Sequence, residues 1–130
     1  MKTLAVCYSK TGNTKKVADA VVEKLNCDLD ELEYDIKTKT MRSFLNPADY
    51  DRVIILCPIW AFGLADPMKQ YLSNYRSDIK EYSLIVTYSL FGLKGCVSNC
   101  VSILGKPPGI ALKIKGKAAK QGDCSIDAVN

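Results

Sequence analysis

The alternation of apolar runs with helix-like stretches constrains the fold of this 130-residue chain more than any other feature. Short apolar runs are typical of strands buried on both faces of a parallel sheet, and apolar residues that recur every three or four positions are typical of helices. The predicted strands are residues 3–8, 53–57, 82–88 and 110–114, and the predicted helices are residues 14–25, 68–75 and 96–104. The acidic residues 28–35 add a short strand near a sheet edge. This order predicts an α/β fold, a doubly wound parallel sheet of five strands with helices on both faces.

The segments between these elements predict a loop, the end of a strand and the start of a helix. Residues 36–48 are polar and weakly periodic, so we expect a loop with at most a short helix. The central strand is expected to stop at Pro58, which cannot donate a hydrogen bond to a neighbouring strand. Asp66 and Pro67 are expected to be the N-cap and the first turn of the next helix.

The last part of the chain is unusual for such a fold. Residues 116–123 are polar, and only residues 125–130 resemble the start of a helix. We therefore expect the closing helix to be short or missing. This would leave apolar sheet surface that a neighbouring copy of the chain covers, giving a homodimer.

Length and composition narrow the classes of function. The chain suits a single domain over residues 1–130, with no run that is long and apolar enough to cross a bilayer and no signal-peptide pattern. Its six cysteines include no C-x-x-C pair, and it has no histidine, so we expect no metal site and no Ser–His or Cys–His catalysis. We expect a cytoplasmic protein with reduced thiols, no catalytic residues of its own, and any catalysis left to a bound cofactor. Cys96 and Cys100, one helical turn apart, are interpreted first as packing residues.

The net charge of +4 lies entirely in the last part of the chain. Residues 1–93 carry twelve basic and twelve acidic side chains, whereas residues 94–130 carry six lysines against Asp123 and Asp127. Because no aromatic residues are interleaved with these lysines, a solvated surface is favoured over a nucleic-acid site. We expect neither nucleic acid nor membrane as a partner.

A loop rich in hydroxyl groups follows the first predicted strand. Residues 9–14 read Ser-Lys-Thr-Gly-Asn-Thr, which fits the pattern [ST]-x-T-G-x-T but neither the nucleotide-hydrolase P-loop nor the dinucleotide G-x-G-x-x-G. A loop that joins a strand to a helix directs backbone N–H groups and the helix N-terminus at one point, and such a point binds anions, most often phosphate. The alternative is that the hydroxyl groups only cap the helix.

On this loop, and on Pro58-Ile59-Trp60-Ala61-Phe62-Gly63, the sequence resembles the flavodoxin family up to about residue 115. The resemblance implies a flavodoxin-like fold with sheet order 2-1-3-4-5 and a bound FMN. In flavodoxins the FMN lies beyond the carboxyl ends of the strands, where the strand order reverses. The loop after the fourth strand departs from the family, because no acidic Gly-Asp and no tyrosine follow at the usual offset. The 58–63 stretch is also similar to NAD(P)H-quinone-reductase relatives.

Three loops would then form one cofactor site. The residues carried over to bind the phosphate are Ser9, Lys10, Thr11, Gly12, Asn13 and Thr14. Those expected to border the isoalloxazine are Pro58, Ile59, Trp60, Ala61, Phe62 and Gly63 on one side, and Tyr88, Ser89, Leu90, Phe91 and Gly92 on the other. Trp60 would stack on one face of the ring, with Tyr88 or Phe91 on the second face. The alternative for Trp60 is that it covers the core beneath the following helix.

The resemblance implies electron transfer by a bound FMN, to a redox partner protein or a small-molecule acceptor. Two alternatives stay open from the sequence. One is an NAD(P)H-dependent FMN or quinone reductase of the same fold, and the other is a non-redox binding module with a vestigial flavin site.

Overall fold

A computed structural model of the chain describes residues 2–89, 91–122 and 126–129. The elements in chain order are β1 (Thr3–Cys7), α1 (Asn13–Leu25), β2 (Asp28–Glu31), β3 (Glu33–Asp35), β4 (Thr40–Arg42), β5 (Arg52–Trp60), β6 (Gly63–Leu64), α2 (Asp66–Tyr75), β7 (Glu81–Tyr88), α3 (Leu93–Leu104), β8 (Ala111–Lys115) and α4 (Gly116–Lys120). The main sheet has the order β2-β1-β5-β7-β8 with all five strands parallel. This confirms the predicted fold class and strand order.

The sheet is buried on both faces because its side chains alternate between two cores. Leu4 and Val6 of β1 join the core under α2 and α3, whereas Ala5 and Cys7 join the core under α1 and α4. The same alternation runs through β5 and β7, so the central strands must be apolar at every position. The carboxyl ends of these strands all lie at one edge of the sheet.

Three cysteines lie in the core beneath α2 and α3. Cys57, Cys96 and Cys100 are fully buried. Burial raises the pKa of Cys96 to about 11 and that of Cys100 to about 12, so both thiols stay protonated near neutral pH. The interpretation of Cys96 and Cys100 as packing residues is confirmed.

The expectation of a loop over residues 36–48 is wrong in part. The strands β3 and β4 form an antiparallel hairpin, and a single 3₁₀ turn follows at Pro47–Asp49. Tertiary contacts hold this hairpin: Gln70 of α2 accepts a hydrogen bond from the Met41 amide and donates one to the Lys39 carbonyl. Such long-range contacts leave no periodic signal in the local sequence, which explains the error.

The expected end of the central strand at Pro58 is also wrong, because β5 continues to Trp60. The carbonyl of Leu56 accepts a hydrogen bond from the Tyr8 amide, so residue 56 directs its backbone groups toward β1. Residue 58, two positions further on, faces the same side, where the β1–β5 pairing has already ended at Leu56. The missing N–H of Pro58 therefore costs no ladder hydrogen bond. The helix boundary shifts slightly, since Ala65 is the N-cap of α2 and Asp66 is its first residue.

The closing helix is short, as predicted, but it lies earlier than expected, at α4, and residues 126–129 form a turn. Ala119, Ile126 and Val129 are buried against the core under α1. The Lys24 ammonium donates hydrogen bonds to the carbonyls of residues 126 and 127. Among the described residues, no large exposed apolar side chain lies on this face, so the expected bare surface is not found. No described helix combines the length and the apolar character that spanning a membrane requires.

Candidate functional site

A crevice of about 190 Å³ opens where β1, β5 and β7 end. The side chains and backbone that line it come from the three predicted loops and from the start of α4. They are Lys10, Thr11, Asn13, Thr14, Pro58, Ile59, Trp60, Thr87, Tyr88, Ser89 and Gly116. None of these described lining residues is acidic, so the crevice is suited to an anion.

The loop of residues 9–14 presents the N-terminus of α1 to the crevice. Gly12 has φ 95°, a left-handed conformation that glycine adopts without strain, and its amide donates a hydrogen bond to Ser9 Oγ at 3.0 Å. The first turn of α1 has no side-chain cap and no acidic residue. A Cβ atom added at Gly12 would meet no atom within 4 Å, so the space above the loop is open. The hydroxyl groups therefore do not cap the helix, and its positive end is left for an anion.

Two buried hydroxyl groups join this loop to the fourth strand of the sheet. Thr14 Oγ1 and Thr87 Oγ1 lie 2.7 Å apart, and the two side chains are 2% and 5% exposed as residues. Two hydroxyl groups hold two hydrogens, and their mutual hydrogen bond uses only one. The second O–H group remains available to donate to a ligand in the crevice.

Trp60 both contacts the core and lines the crevice. Its ring meets Tyr8 edge-on, with centroids 5.5 Å apart at 89°, and Tyr34 with centroids 6.4 Å apart at 62°. The Lys10 ammonium lies 5.9 Å from the centroid of the indole. The indole is half-buried, so both interpretations of Trp60, core cover and crevice wall, describe part of its surroundings.

A second cavity of about 510 Å³ adjoins the crevice and shares Lys10, Ile59 and Trp60 with it. Its remaining lining residues are Tyr34, Ile36, Lys39, Ala61 and Asp66. The β3–β4 hairpin, which was not predicted, forms its outer wall, so this cavity could not be predicted either.

The β5–β6 hairpin is held in a rare backbone conformation by α3. Its two-residue turn, Ala61 and Phe62, has φ 49° and 65°, the two positive values that a type I′ turn requires. A Cβ atom added at Gly95 of α3 would lie 1.9 Å from the Phe62 carbonyl oxygen, so only glycine permits this approach. On the same helix, Asn99 Oδ1 accepts a hydrogen bond from the Leu64 amide at 3.0 Å.

The aromatic side chains at the tip of this hairpin lie outside the crevice. The rings of Phe62 and Phe91 are stacked, with centroids 5.2 Å apart and planes at 17°. The two side chains are 60% and 69% exposed. Phe91 therefore contacts another phenylalanine and does not line the crevice, whereas Tyr88 does.

The structure brings together most of the predicted site residues. Those that line the crevice or the second cavity are Lys10, Thr11, Asn13, Thr14, Pro58, Ile59, Trp60, Ala61, Tyr88 and Ser89. Those that line neither are Ser9, Gly12, Phe62, Gly63, Phe91 and Gly92. Ser9 and Gly12 shape the first loop, and Gly63 and Gly92 lie against α3 and Ile59 respectively. Leu90 lies outside the described residues.

Sequence reasoning missed six lining residues: Thr87 and Gly116 in the crevice, and Tyr34, Ile36, Lys39 and Asp66 in the second cavity. Thr87 is the polar side chain next to the carboxyl end of β7, and Gly116 directly follows the last strand. Both could have been found by asking which residues stand at the carboxyl ends of all the strands. Tyr34 comes from the unpredicted hairpin, and no sequence signal marks it.

The strand order and the crevice at the strand ends define a flavodoxin-like α/β protein. Residues 5–94 match the family model described as a flavodoxin domain, and the chain belongs to that family.

Solved structures share the fold at low sequence identity. A flavoprotein from Lactobacillus acidophilus NCFM, crystallised in complex with FMN, has a TM-score of 0.78 and 19% identity over 92% of this chain and 97% of that one. A flavodoxin, WrbA-like protein from Agrobacterium tumefaciens has a TM-score of 0.63 and 14% identity over 95% and 90% of the two chains. A Fusobacterium nucleatum flavodoxin bound to flavin mononucleotide has a TM-score of 0.56 and 16% identity over 85% and 69%. No curated protein matches the sequence.

Proposed function

We propose that the chain binds FMN in the crevice and transfers electrons to a redox partner protein or a small-molecule acceptor. The observation that carries the proposal is the uncapped N-terminus of α1, which faces a crevice lined by Trp60. The similar Lactobacillus acidophilus flavoprotein was crystallised with FMN, and membership of the flavodoxin-domain family supports the same cofactor here.

The residues of the crevice fit the phosphate end of FMN. The first-turn amides of α1, the free O–H of the Thr14–Thr87 pair and the Asn13 side chain are donors. Lys10 adds a positive charge at the rim, and no carboxylate among the described lining residues opposes it. A phosphomonoester is therefore favoured over a neutral group at this point.

The surroundings of Trp60 fit an apolar planar ring. The crevice of about 190 Å³ holds the phosphate end, and the adjoining cavity of about 510 Å³ offers room beside the indole. Together they fall within the roughly 300–1,000 Å³ that is typical of ligand pockets. FMN, when bound, supplies one- and two-electron redox chemistry; Trp60 and Ile59 would shield its ring from water, and the loop of residues 9–14 would fix its orientation.

Comparison of FMN with riboflavin tests the proposal directly, because the two differ only in the phosphate. Trp60 is the single tryptophan of the chain, so its fluorescence reports binding beside the indole. We expect both flavins to quench this fluorescence and FMN to bind at least about tenfold more tightly than riboflavin, a difference of about 1.4 kcal/mol. Equal affinities would refute the phosphate site, and the absence of quenching and of flavin absorption bands would favour a non-redox binding module.

A second candidate function, an NAD(P)H-dependent FMN or quinone reductase, is favoured by the 510 Å³ cavity beside Trp60. Two lysines, Lys10 and Lys39, outnumber the single carboxylate of Asp66 in that cavity, and most of its other lining side chains are apolar. This chemistry suits a planar ligand that carries negative charge. Steady-state oxidation of NADPH by the FMN-loaded protein, with a quinone as acceptor, would support the reductase. An oxidation rate no higher than that with free FMN would refute the reductase and favour the electron carrier.

A further inference from the structure

The surface beside the crevice combines exposed aromatic rings with lysines that form no ion pair within the described part of the chain. We propose that the docking surface formed by Phe62, Phe91, Lys94 and Lys113 binds a redox protein that presents carboxylates around an apolar contact. The proposal rests on the proposed function, because it names the chemistry of the partner that receives or supplies the electrons.

The aromatic part of the docking surface depends on a strained backbone conformation at Phe62. Phe62 has φ 65°, which is a genuine outlier for a bulky residue, and Gly95 of α3 holds it there by contact with its carbonyl oxygen. The stacked pair remains 60% and 69% exposed, although stacking covers one face of each ring. Exposed aromatic side chains on a rigid support are the usual anchors of protein interfaces.

The charged part of the docking surface is basic. Lys94 stands in the first turn of α3, and Lys113 of β8 places its ammonium 5.6 Å from the centroid of the Tyr88 ring, which lines the crevice. Both side chains are exposed, and neither forms an ion pair with a carboxylate of the described residues. The neighbouring Lys115 and Lys117 add charge of the same sign at the same end of the sheet. A partner with an acidic surface is therefore steered toward the crevice.

The lysines and the stacked rings argue against two other occupants. In a symmetric dimer through this surface, the lysines of one copy would face those of the other, which is destabilising. Nucleic acids bind to exposed aromatic residues by stacking bases on free ring faces. Phe62 and Phe91 stack on each other, so each ring has only one free face, and stacking of bases is less favourable than on two separate rings.

A binding experiment with two carriers of opposite charge tests the proposal. The FMN-loaded full chain is titrated with an oxidised rubredoxin of acidic surface and with oxidised, basic cytochrome c, and binding is measured by calorimetry and by amide chemical shifts. We expect rubredoxin to bind with shifts centred on the docking surface. Its affinity should fall about tenfold or more between about 20 mM and about 200 mM salt, because screening weakens exposed charges. Cytochrome c should bind at least about tenfold more weakly.

Matched variants separate the docking surface from the rest of the molecule. Lys94→Glu with Lys113→Glu is expected to weaken rubredoxin binding about tenfold or more. The control is Arg76→Glu at the C-terminal end of α2, whereas the N-terminal end of that helix lies beside the second cavity. This control should change the affinity less than about twofold. Phe62→Ser with Phe91→Ser should also weaken binding about tenfold. Phe44→Ser, which removes a phenylalanine that is 55% exposed and distant in sequence from these loops, is the control. Flavin affinity is measured for every variant, so that a misfolded variant is recognised.

The outcomes distinguish this proposal from the proposed function. Rubredoxin binding that neither double variant weakens overturns the docking proposal, as does tighter binding of cytochrome c, of a single-stranded oligonucleotide or of a second copy of the chain. FMN binding without rubredoxin binding overturns the docking proposal alone. Rubredoxin binding by a chain that binds no FMN overturns the proposed function alone.

Discussion

Replacement of Gly95 by alanine tests whether α3 holds the β5–β6 hairpin in place. The added Cβ would lie 1.9 Å from the carbonyl oxygen of Phe62 and 3.1 Å from its carbonyl carbon. Because the obstructing atoms are backbone atoms, no side-chain rotation relieves the clash, and the hairpin must move about 1 Å away from α3. Overpacking of this kind costs about 1–3 kcal/mol of unfolding free energy. The movement carries Ile59 and Trp60 with it, so FMN affinity should fall as well.

The measurements are urea unfolding and FMN titration of the Gly95→Ala protein, with Gly109→Ala as the control. A Cβ at Gly109 would lie 3.7 Å from the Tyr82 carbonyl oxygen, an ordinary contact, and Gly109 has no positive φ. The control should keep its FMN affinity and lose no stability, since alanine at a compatible position stabilises by about 0.4–1 kcal/mol. A Gly95→Ala protein as stable as the parent, with the same FMN affinity, would refute the role of α3.

Three further predictions concern the crevice and the sheet edge. Trp60→Ala should weaken FMN binding by about 1–3 kcal/mol in a flavin-fluorescence titration, and unchanged affinity would remove Trp60 from the site. Thr87→Val leaves the buried Thr14 hydroxyl without its partner and should cost about 1–3 kcal/mol of unfolding free energy. Adding Thr14→Val should recover part of that loss, and strictly additive losses would show that the two hydroxyl groups are not coupled. The hydrogen bond that Tyr50 donates to Asp28 raises the pKa of the phenol from 10.0 to about 12, so its stabilisation is complete below pH 10 and is lost as the pH rises to 12. Stability measured against pH should fall less steeply over this range in Tyr50→Phe.

The strands and the first helix could be predicted because burial leaves them little freedom. Residues 53–57 contribute to both cores, so every position must be apolar, and that pattern is visible without knowledge of the fold. The helix α1 buries only one face, so Val17, Ala18 and Val21 recur at helical spacing. The parallel order then followed from the alternation of elements.

The two hairpins could not be predicted, for different reasons. The β3–β4 hairpin depends on hydrogen bonds to Gln70, which lies 29 positions beyond Met41 in the chain. The β5–β6 hairpin has Ala61 and Phe62 at turn positions that usually hold asparagine or glycine, so its turn carries no local signal. Its conformation depends on the close approach of the Phe62 carbonyl to Gly95 of α3, and only the folded chain shows that contact.

The candidate site was predictable to the level of loops but not of individual side chains. Topology alone brings the ends of β1, β5 and β7 together, so the positions of the three loops followed from the strand order. Which of Tyr88 and Phe91 lines the crevice could not be predicted, because Phe91 stacks on Phe62 at the outer surface and the sequence does not show that contact. The Thr14–Thr87 pair could not be predicted either, because the packing of α1 against β7 sets the distance between the two hydroxyl groups.

One hairpin gives the molecule two functional surfaces. Ile59 and Trp60 precede the turn and face the crevice, whereas Phe62 within the turn faces outward to Phe91. Both orientations depend on the same contact between α3 and the turn, because Gly95 leaves room for the Phe62 carbonyl. A change in that contact must therefore disturb cofactor binding and partner binding together, whereas a change in the Phe62 side chain alone disturbs only partner binding. The Gly95→Ala and Phe62→Ser proteins should show this difference when FMN and rubredoxin affinities are measured side by side, and equal effects on both ligands from Phe62→Ser would show that the two surfaces are not separate.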